Sequence, residues 1–237
     1  MLEAAEIPTT VWCPNSCRYC YVPKGDAMRE LHHELVGDLK AAKYIERLKD
    51  VYGDRLKVLG LWGAEPTLTM DLVKDRLPEI LEAFPRLESI NLSTSMIDYK
   101  PIVRFAKALP STIKFGVQIS LDGPGFITNV NRFDGASEII PSNFIKLVKG
   151  LQGTEAKVDL HWKPTLTSEN INEMVSEPSK VDEYINYFEA INDESSRINQ
   201  SERLTLNKRY SPTLAVPGEY TSSDGKNFAE FIKIMKS

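Results

Sequence analysis

Short apolar and β-branched runs recur along the chain and alternate with segments of helical period. Runs of this length, bounded by Gly, Pro and polar residues, are typical of β-strands. We predict six strands, near Ile7–Trp12, Leu56–Trp62, Glu88–Thr94, Lys114–Leu121, Lys157–Lys163 and Arg203–Asn207. Because most of these runs are continuously apolar or β-branched, we expect a parallel sheet that is buried on both faces.

The segments between the strands carry apolar residues three and four positions apart, which is the spacing of amphipathic helices. The first predicted helix follows Asp38, a potential N-cap, and should end at Gly53. The second follows Thr69, and Pro78 should kink or split it. The remaining predicted helices lie near Pro101–Leu109, Ser142–Leu151, Val181–Ile191 and Gly225–Lys236.

The order of these elements predicts the fold class. Each strand is followed by a segment long enough for a right-handed crossover to a parallel neighbour. Six such units predict an α/β fold, either a partial, open (β/α)6 barrel with a parallel sheet or a doubly wound sheet. We expect residues 1–237 to form a single domain, with a flexible loop over the polar residues 192–203. In both architectures the functional residues gather where the strands end.

Composition and charge exclude several classes of protein. Apolar residues make up 42% of the chain and charged residues 26%, which indicates a globular rather than a disordered protein. The net charge is −4, so no basic excess attracts a phosphate backbone, and we expect no general nucleic-acid binding. No apolar run approaches the roughly 20 residues of a membrane span, and the first residues lack the features of a signal peptide. We therefore expect a cytoplasmic protein that has no contact with membranes.

All three cysteines, Cys13, Cys17 and Cys20, lie within eight residues, directly after the first predicted strand. An odd number of thiols in so short a segment is a poor disulfide framework, because pairing any two leaves a reactive thiol. In a reducing compartment such a cluster is more typical of metal binding or redox chemistry.

Several interpretations of these cysteines compete. A zinc site needs a fourth ligand, which would have to come from His32, His33 or His161. A thioredoxin-like pair of the second and third cysteines would leave the first without a role. An iron–sulfur cubane held by three thiolates uses all three and leaves one iron open to a substrate or cofactor. The residues favour the cubane, and a purely structural role is the remaining alternative.

The segment Cys-Pro-Asn-Ser-Cys-Arg-Tyr-Cys at residues 13–20 resembles the signature of the radical S-adenosylmethionine (radical SAM) enzymes. The resemblance lies in the Cys-x3-Cys-x2-Cys spacing and in the aromatic residue before the third cysteine. It implies that Cys13, Cys17 and Cys20 ligate a [4Fe-4S] cluster whose open iron binds SAM, and that Tyr19 lies beside the adenine. It also implies reductive cleavage of SAM to methionine and a 5′-deoxyadenosyl radical, with the electron coming from a donor such as flavodoxin or ferredoxin.

A second motif, Gly63-Ala64-Glu65-Pro66, follows the second predicted strand. It resembles the Gly-Gly-Glu-Pro motif of the same family, which implies that its backbone and the Glu65 carboxylate bind the methionyl ammonium of SAM. Ala64 departs from the family pattern. If that position needs a positive φ, Ala64 costs about 1 kcal/mol or more. A simple βα turn is the alternative interpretation of these residues.

A third motif, Ser-Leu-Asp-Gly-Pro at residues 120–124, ends the fourth predicted strand and is followed by an Asn-Arg pair that ends at Arg132. By itself Asp-Gly-Pro is a turn signal. Together, the Ser-Leu-Asp-Gly-Pro segment and the Asn-Arg pair resemble motifs of the radical SAM subgroup of peptide-modifying enzymes and anaerobic sulfatase maturases. Many members of that subgroup carry a cysteine-rich C-terminal extension called SPASM. The resemblance implies that Ser120, Asp122 and Arg132 belong to the cofactor site, with Arg132 as a candidate partner of the SAM carboxylate. No cysteine follows Cys20, so the chain resembles the catalytic core without that extension.

Two further strand exits carry less specific candidates. Ser93-Thr94-Ser95-Met96 stands where relatives often have Thr-Asn-Gly, and Thr94 and Ser95 either line the pocket or form a solvated turn. Alternation along the fifth strand places His161 and Lys163 on one face. A role in the pocket and an ordinary structural role are both open for these two residues.

Together these residues predict a radical SAM enzyme that abstracts hydrogen from a peptide or protein side chain. One alternative is a radical SAM enzyme acting on a small molecule or nucleotide, or an activase of glycyl-radical enzymes. Another is a non-catalytic cluster-binding partner protein, which is suggested by Ala64, by Thr128-Asn129 where the subgroup commonly has His-Asp, and by the absence of later cysteines.

Overall fold

The structure, a computed structural model, describes residues 3–210, 212–215 and 222–235. Within them, one parallel sheet is built, in this side-by-side order, from β1 (Ala4–Thr10), β2 (Val58–Gly63), β3 (Ser89–Thr94), β4 (Lys114–Ile119), β5 (Lys157–Trp162) and β7 (Leu204–Tyr210). The short strands β6 (Thr165–Thr167) and β8 (Thr213–Ala215) form a separate parallel pair. The six predicted strands are therefore confirmed. Because the strands of the sheet follow one another without a reversal of order, the fold is a partial barrel and not a doubly wound sheet.

The helices of the described residues connect the strands. They are α1 (Asp26–Lys40), α2 (Lys43–Tyr52), α3 (Met70–Lys74), α4 (Leu77–Ala83), α5 (Lys100–Ala108), α6 (Gly125–Asn131), α7 (Ala136–Gly150), α8 (Ser168–Ser176), α9 (Ser179–Ile198) and α10 (Ser222–Ile234). A short 3-10 helix, Pro66–Leu68, follows β2. None of the helices in these ranges combines the length and the apolar composition that a membrane crossing requires.

The apolar core lies on one face of the sheet. Alternate strand residues are buried there with the apolar faces of the helices, among them Ile7, Leu59, Leu61, Ile90, Leu92, Phe115, Val117, Val158 and Leu160. The other face stays partly exposed at most positions, and it carries small and polar residues such as Glu6 and Asn91. The expectation of a sheet buried on both faces is therefore wrong. Positions such as Gly60 and Trp62 lengthen the apolar run of β2 without facing the core.

The single helix predicted after Asp38 is in fact two helices. Asp38 lies inside α1, and Ala42, in the left-handed conformation with φ of 56°, separates α1 from α2. The carboxylate of Asp38 caps neither helix and instead pairs with Lys43 at 3.3 Å and Arg47 at 2.9 Å. The sequence pattern missed the start of α1 because Leu39 is its one buried residue among 15.

Proline has different effects in two other helical segments. Pro78 stands in the first turn of α4 and separates it from α3, as predicted. In contrast, Pro141 lies inside α7, so that helix begins at Ala136, ahead of the predicted Ser142.

The loop expected over residues 192–203 begins later in the structure, because α9 continues to Ile198. Asn192 and Ser195 are buried on this helix. Asn192 Oδ1 accepts a hydrogen bond from Trp162 Nε1 at 3.0 Å, and Asn192 Nδ2 donates to the Lys208 carbonyl at 3.3 Å. The polar composition therefore reflects polar contacts of a packed helix, and the expectation was wrong for residues 192–198.

Candidate cofactor site

One cavity of about 230 Å³ lies at the carboxyl edge of the sheet, where loops from several strands meet. Parallel strands bring their carboxyl ends to the same edge, which is why these loops are neighbours. The loops that follow β1, β2, β4 and β5 form much of its wall. They contribute Cys13, Cys17, Cys20, Ala64, Ser120 and Lys163. The trio of cysteines predicted from the sequence therefore opens onto one space together with the other motifs.

Backbone hydrogen bonds hold the cysteine loop over this cavity. Arg18 N donates to the Asn131 carbonyl at 2.8 Å, which ties the loop to the end of α6. Asn15 N donates to Cys13 Sγ at 3.4 Å, and Cys20 N donates to the Cys17 carbonyl at 3.1 Å. All three cysteines are free thiols.

The arrangement of the thiols does not support the zinc interpretation. In the part of the chain that the structure describes, no three His, Cys, Asp or Glu side chains come close enough to hold one metal ion. His32 hydrogen-bonds Thr10 Oγ1 through Nδ1 at 2.9 Å, and His161 lies on the open face of the sheet. The thiolates that hold a cubane bind three different irons, so they need not converge on one point.

Asn15 gives independent support that an acceptor group fits this loop. The residue is 7% exposed, and its buried Nδ2 has no hydrogen-bond partner among the residues described. A buried N–H without an acceptor costs about 1–3 kcal/mol. Asn15 lines the cavity beside Cys13 and Cys20, where the sulfur atoms of a cluster would accept its hydrogen bond. The residues present therefore fit an iron–sulfur cluster.

In the metal-free protein, burial disfavours the thiolate form of two of the three cysteines. Burial raises the pKa of Cys13 to about 11, and the Glu65 carboxylate and the other two thiols add to the rise. Burial also raises the pKa of Cys17, although the Arg132 guanidinium opposes that shift. Because metal ligands bind as thiolates, loading a cluster must displace the proton of Cys13.

In the turn at the end of β2, the backbone itself lies against the cavity, because Gly63 has no side chain. Gly63 has a φ of 137°, and a Cβ built there would lie 2.1 Å from the Thr10 carbonyl oxygen. Ala64 N donates to the same oxygen at 2.9 Å. Apart from glycines, positive φ occurs in the described residues at Ala42 and Met96, and so not at Ala64. The strain considered for Ala64 therefore does not arise, and Gly63 is the position of the motif that requires glycine.

Glu65 lies beneath the cavity and is only 1% exposed. Its carboxylate accepts hydrogen bonds from Thr67 N at 3.2 Å, Thr67 Oγ1 at 2.6 Å, Thr94 Oγ1 at 2.7 Å, Ser95 N at 2.7 Å and Ser95 Oγ. Pro66, also buried, begins the 3-10 helix that follows. Glu65 thus fixes the exits of β2 and β3 relative to each other, and Thr94 and Ser95 do not form a solvated turn.

Met96 completes the exit of β3 with an unusual backbone. Its φ is 57°, in the left-handed region that favours glycine, and its side chain is fully buried. Met96 N donates to Thr94 Oγ1 at 3.0 Å, and Asn143 Nδ2 donates to the Met96 carbonyl at 3.1 Å. These bonds and the buried side chain offset the strain of about 1–2 kcal/mol. Asn143 carries no sequence signal for this role.

Asp122 and Arg132 form a buried pair beside the cysteine loop. Arg132 Nε and Nη2 donate to the two oxygens of Asp122 at 2.9 and 2.8 Å. Tyr19 Oη donates to Asp122 at 2.7 Å, and Thr165 N donates to it at 3.0 Å. Burial alone would lower the pKa of Arg132, but the Asp122 carboxylate outweighs it and raises the pKa. Asp122 therefore holds Arg132 and Tyr19, which both line the cavity.

Ser120 and Lys163 stand next to each other on neighbouring strand ends. Ser120 N donates to the Thr94 carbonyl at 2.9 Å, and Lys163 N donates to the Ile119 carbonyl at 2.8 Å. Both residues line the cavity. Of the predicted site residues, the cysteines, Tyr19, Gly63, Ala64, Ser120 and Arg132 face this space, whereas Glu65, Pro66 and Asp122 support it from beneath.

Comparisons with known proteins agree with this geometry. The family profile described as Radical SAM superfamily matches residues 7–139, more than half of the chain. None of the curated proteins compared with the chain matches it significantly. Among solved structures, native anSMEcpe with bound AdoMet superposes with a TM-score of 0.59 at 17% identity, over 98% of this chain and 58% of that chain. The form with bound AdoMet and Cp18Cys peptide gives a TM-score of 0.58 at 18% identity, over 98% and 58%. At such identities the likeness is one of fold, and this chain spans less than two thirds of the length of those proteins.

Proposed function

The chain belongs to the radical SAM superfamily, and from that premise we propose that it is an enzyme that abstracts a hydrogen atom from a peptide or protein side chain. The observation that carries the proposal is the convergence of three free thiols with Ala64, Ser120 and Arg132 on one cavity. Membership of the family implies a [4Fe-4S] cluster and SAM as cofactors.

The cofactors would supply the radical. When both are bound, one electron cleaves SAM to methionine and a 5′-deoxyadenosyl radical, which takes a hydrogen atom from the substrate and becomes 5′-deoxyadenosine. We propose an external donor of the flavodoxin or ferredoxin class for that electron. The protein's own task is to bind, orient and exclude water.

The residues that line the cavity divide this task. Cys13, Cys17 and Cys20 would hold the cluster. The backbone around Ala64, which Gly63 allows to approach closely, would receive the methionyl ammonium of SAM, with Glu65 keeping that turn in place.

The opposite wall would orient the rest of the cofactor. Ser120 would contact the ribose or carboxylate of SAM, Arg132 would offer its positive charge to the carboxylate, and Tyr19 would lie beside the adenine. Asp122 would act as a positioning residue, because its carboxylate accepts hydrogen bonds from both Arg132 and Tyr19.

A peptide substrate is supported by two observations. The structures of anSMEcpe similar in fold to this chain include complexes with peptides. In addition, the Ser-Leu-Asp-Gly-Pro segment resembles the peptide-modifying subgroup. The case for a non-catalytic partner protein is weakened, since Ala64 occupies an ordinary backbone conformation.

Anaerobic reconstitution tests the proposal. We expect about four irons per chain and, after addition of reductant and SAM, 5′-deoxyadenosine measured by chromatography. Cys17→Ala should abolish both, whereas the control His33→Ala, at an exposed residue away from the cavity, should retain them. Stoichiometric zinc without iron would contradict the proposal, and a cluster that never cleaves SAM would favour the non-catalytic alternative.

A further inference from the structure

A second cavity, of about 290 Å³, lies between the cysteine loop and the start of α1, and we call it the α1 cavity. Its wall includes four residues that also line the cofactor cavity, namely Cys13, Asn15, Cys20 and Ala64. The α1 cavity therefore adjoins the place where the cluster is expected. Charged groups on its wall lie next to the cluster without belonging to its ligands.

Lys24 is the residue of this wall whose charge is fixed on the cysteine loop. Its Nζ donates a hydrogen bond to the Asn15 carbonyl oxygen at 2.8 Å. Asn15 lies between the first two cysteines and is only 7% exposed, whereas Lys24 itself is exposed. The ammonium is thus attached to a buried part of the loop, where solvent and salt screen its charge less than they screen that of a free side chain.

The Lys24 ammonium is not neutralised by a carboxylate. In the part of the chain that the structure describes, no Asp or Glu oxygen comes within 4.0 Å of its Nζ. The arginines around the cysteine loop are in contrast each paired with a carboxylate: Arg18 with Glu169 at 3.2 Å, Arg29 with Asp26 at 3.7 Å and Arg132 with Asp122 at 2.8 Å. Of these four cations, Lys24 is the one whose full charge acts on its surroundings.

Two neutral groups make the same cavity more positive. The helix α1 has 15 residues, begins after Gly25 without a side-chain cap, and borders the cavity with its first turn. The N-terminus of a helix carries about half a positive charge. The buried Asn15 Nδ2, which has no acceptor among the residues described, lies on the same wall. The wall is therefore suited to a negatively charged group beside the cysteines.

An iron–sulfur cluster held by thiolates is such a group, and reduction makes it more negative. The donor passes one electron to the cluster and no proton, so one negative charge is added. Net charge and nearby hydrogen bonds are among the factors that set the reduction potential of these clusters. A fixed cation stabilises the reduced state more than the oxidised state, because the reduced state carries the greater negative charge.

We propose that Lys24 is a positioning residue for electron transfer: through the Asn15 carbonyl it holds a positive charge beside the cluster and raises the reduction potential of the cluster. The electron that cleaves SAM is thereby easier to supply from the flavodoxin or ferredoxin class of donor. The inference rests on the proposed function, because it requires the cluster. Lys24 lies outside the three sequence motifs, so no resemblance assigned it a role.

The reduction potential tests the proposal without reference to turnover. The reconstituted protein, without SAM, is titrated anaerobically and the reduced cluster is measured by electron paramagnetic resonance. Lys24→Met should lower the ratio of reduced to oxidised cluster at least threefold at a fixed potential, a shift of about 28 mV at 59 mV per tenfold change. Lys24→Arg, which keeps the charge, should titrate like the wild type. The control Lys107→Met, at an exposed site in the last turn of α5, should do so too.

Lys24→Gln separates the charge from the hydrogen bond, because its amide can still donate but carries no charge. It should shift the potential in the same direction as Lys24→Met. A neutral variant that loads iron and keeps the wild-type potential would overturn the inference. So would neutral variants that load no iron beside a Lys24→Arg variant that does, because Lys24 would then merely hold the loop in place.

Failure of the proposed function is recognised separately. Wild-type protein that loads no iron would contradict the proposed function itself. A wild-type cluster that never cleaves SAM would contradict the proposed function alone, because the titration measures the effect of Lys24 in the absence of SAM.

Discussion

Arg132 and Arg104 each donate two hydrogen bonds to an aspartate, but their surroundings differ. The side chains of Arg132 and Asp122 are 5% and 0% exposed, whereas those of Arg104 and Asp71 are 49% and 47% exposed. Removing one partner of a buried pair leaves an uncompensated charge in a medium of low polarity. In an exposed pair, water solvates the charge that remains.

We therefore expect Arg132→Met to lower the free energy of unfolding by about 3–5 kcal/mol. The matched change Arg104→Met should cost less than about 1 kcal/mol. Urea denaturation of the metal-free protein measures both. Similar losses for the two variants would show that Asp122 is not held as the structure has it.

At the scale of single elements, α9 depends on buried polar contacts along its second half. Asn192 accepts the hydrogen bond of Trp162 Nε1, and that indole packs against Phe144 and Phe188 with ring centroids 4.3 and 6.0 Å away. The helix is thereby attached to β5 through a polar bond inside an aromatic cluster. A segment that composition alone assigns to a loop is part of the packed structure.

Asn192→Ala should lower the free energy of unfolding by about 1–3 kcal/mol, because it leaves the buried indole N–H without an acceptor. Asp193→Ala, at the neighbouring exposed position, should change it by no more than about 0.5 kcal/mol. Denaturant unfolding gives both values. Amide exchange supplies a second readout, and rapid exchange throughout residues 193–198 would restore the flexible-loop interpretation.

At the scale of the whole molecule, the cofactor site joins parts of the chain that are far apart in sequence. The loops after β1, β2, β4 and β5 all contribute to one cavity. A ligand that binds only when these loops are assembled stabilises the folded state against unfolding.

We expect SAM to raise the unfolding temperature of the cluster-loaded protein, with about 2.7 kcal/mol of added stability at a concentration 100 times its dissociation constant. Cys17→Ala, which cannot complete the cluster, should show no such rise. Anaerobic thermal denaturation with and without SAM measures the difference. An equal rise in both proteins would mean that SAM binds independently of the cluster.

The sequence predicted the features that depend on neighbouring residues. The strands and most helices follow from the spacing of apolar residues two to four positions apart. The three cysteines lie within eight residues of one another, so the sequence alone indicates a single cluster of ligands. Prediction failed where the local pattern was weak. The first part of α1 presents almost no buried face, and the polar residues at the end of α9 find partners on other strands.

The sequence by itself thus determined the positions of the strands along the chain, the parallel sheet and the chemistry of the cysteine loop. Only the tertiary structure decided the partners of the charged groups. Glu65 binds Ser95, 30 positions away, and Asp122 binds Tyr19, 103 positions away. The same holds for the row of paired strand residues Glu6, Gly60, Asn91 and Gly116. Such contacts depend on strand order and register, which bring distant residues together and which no local periodicity encodes.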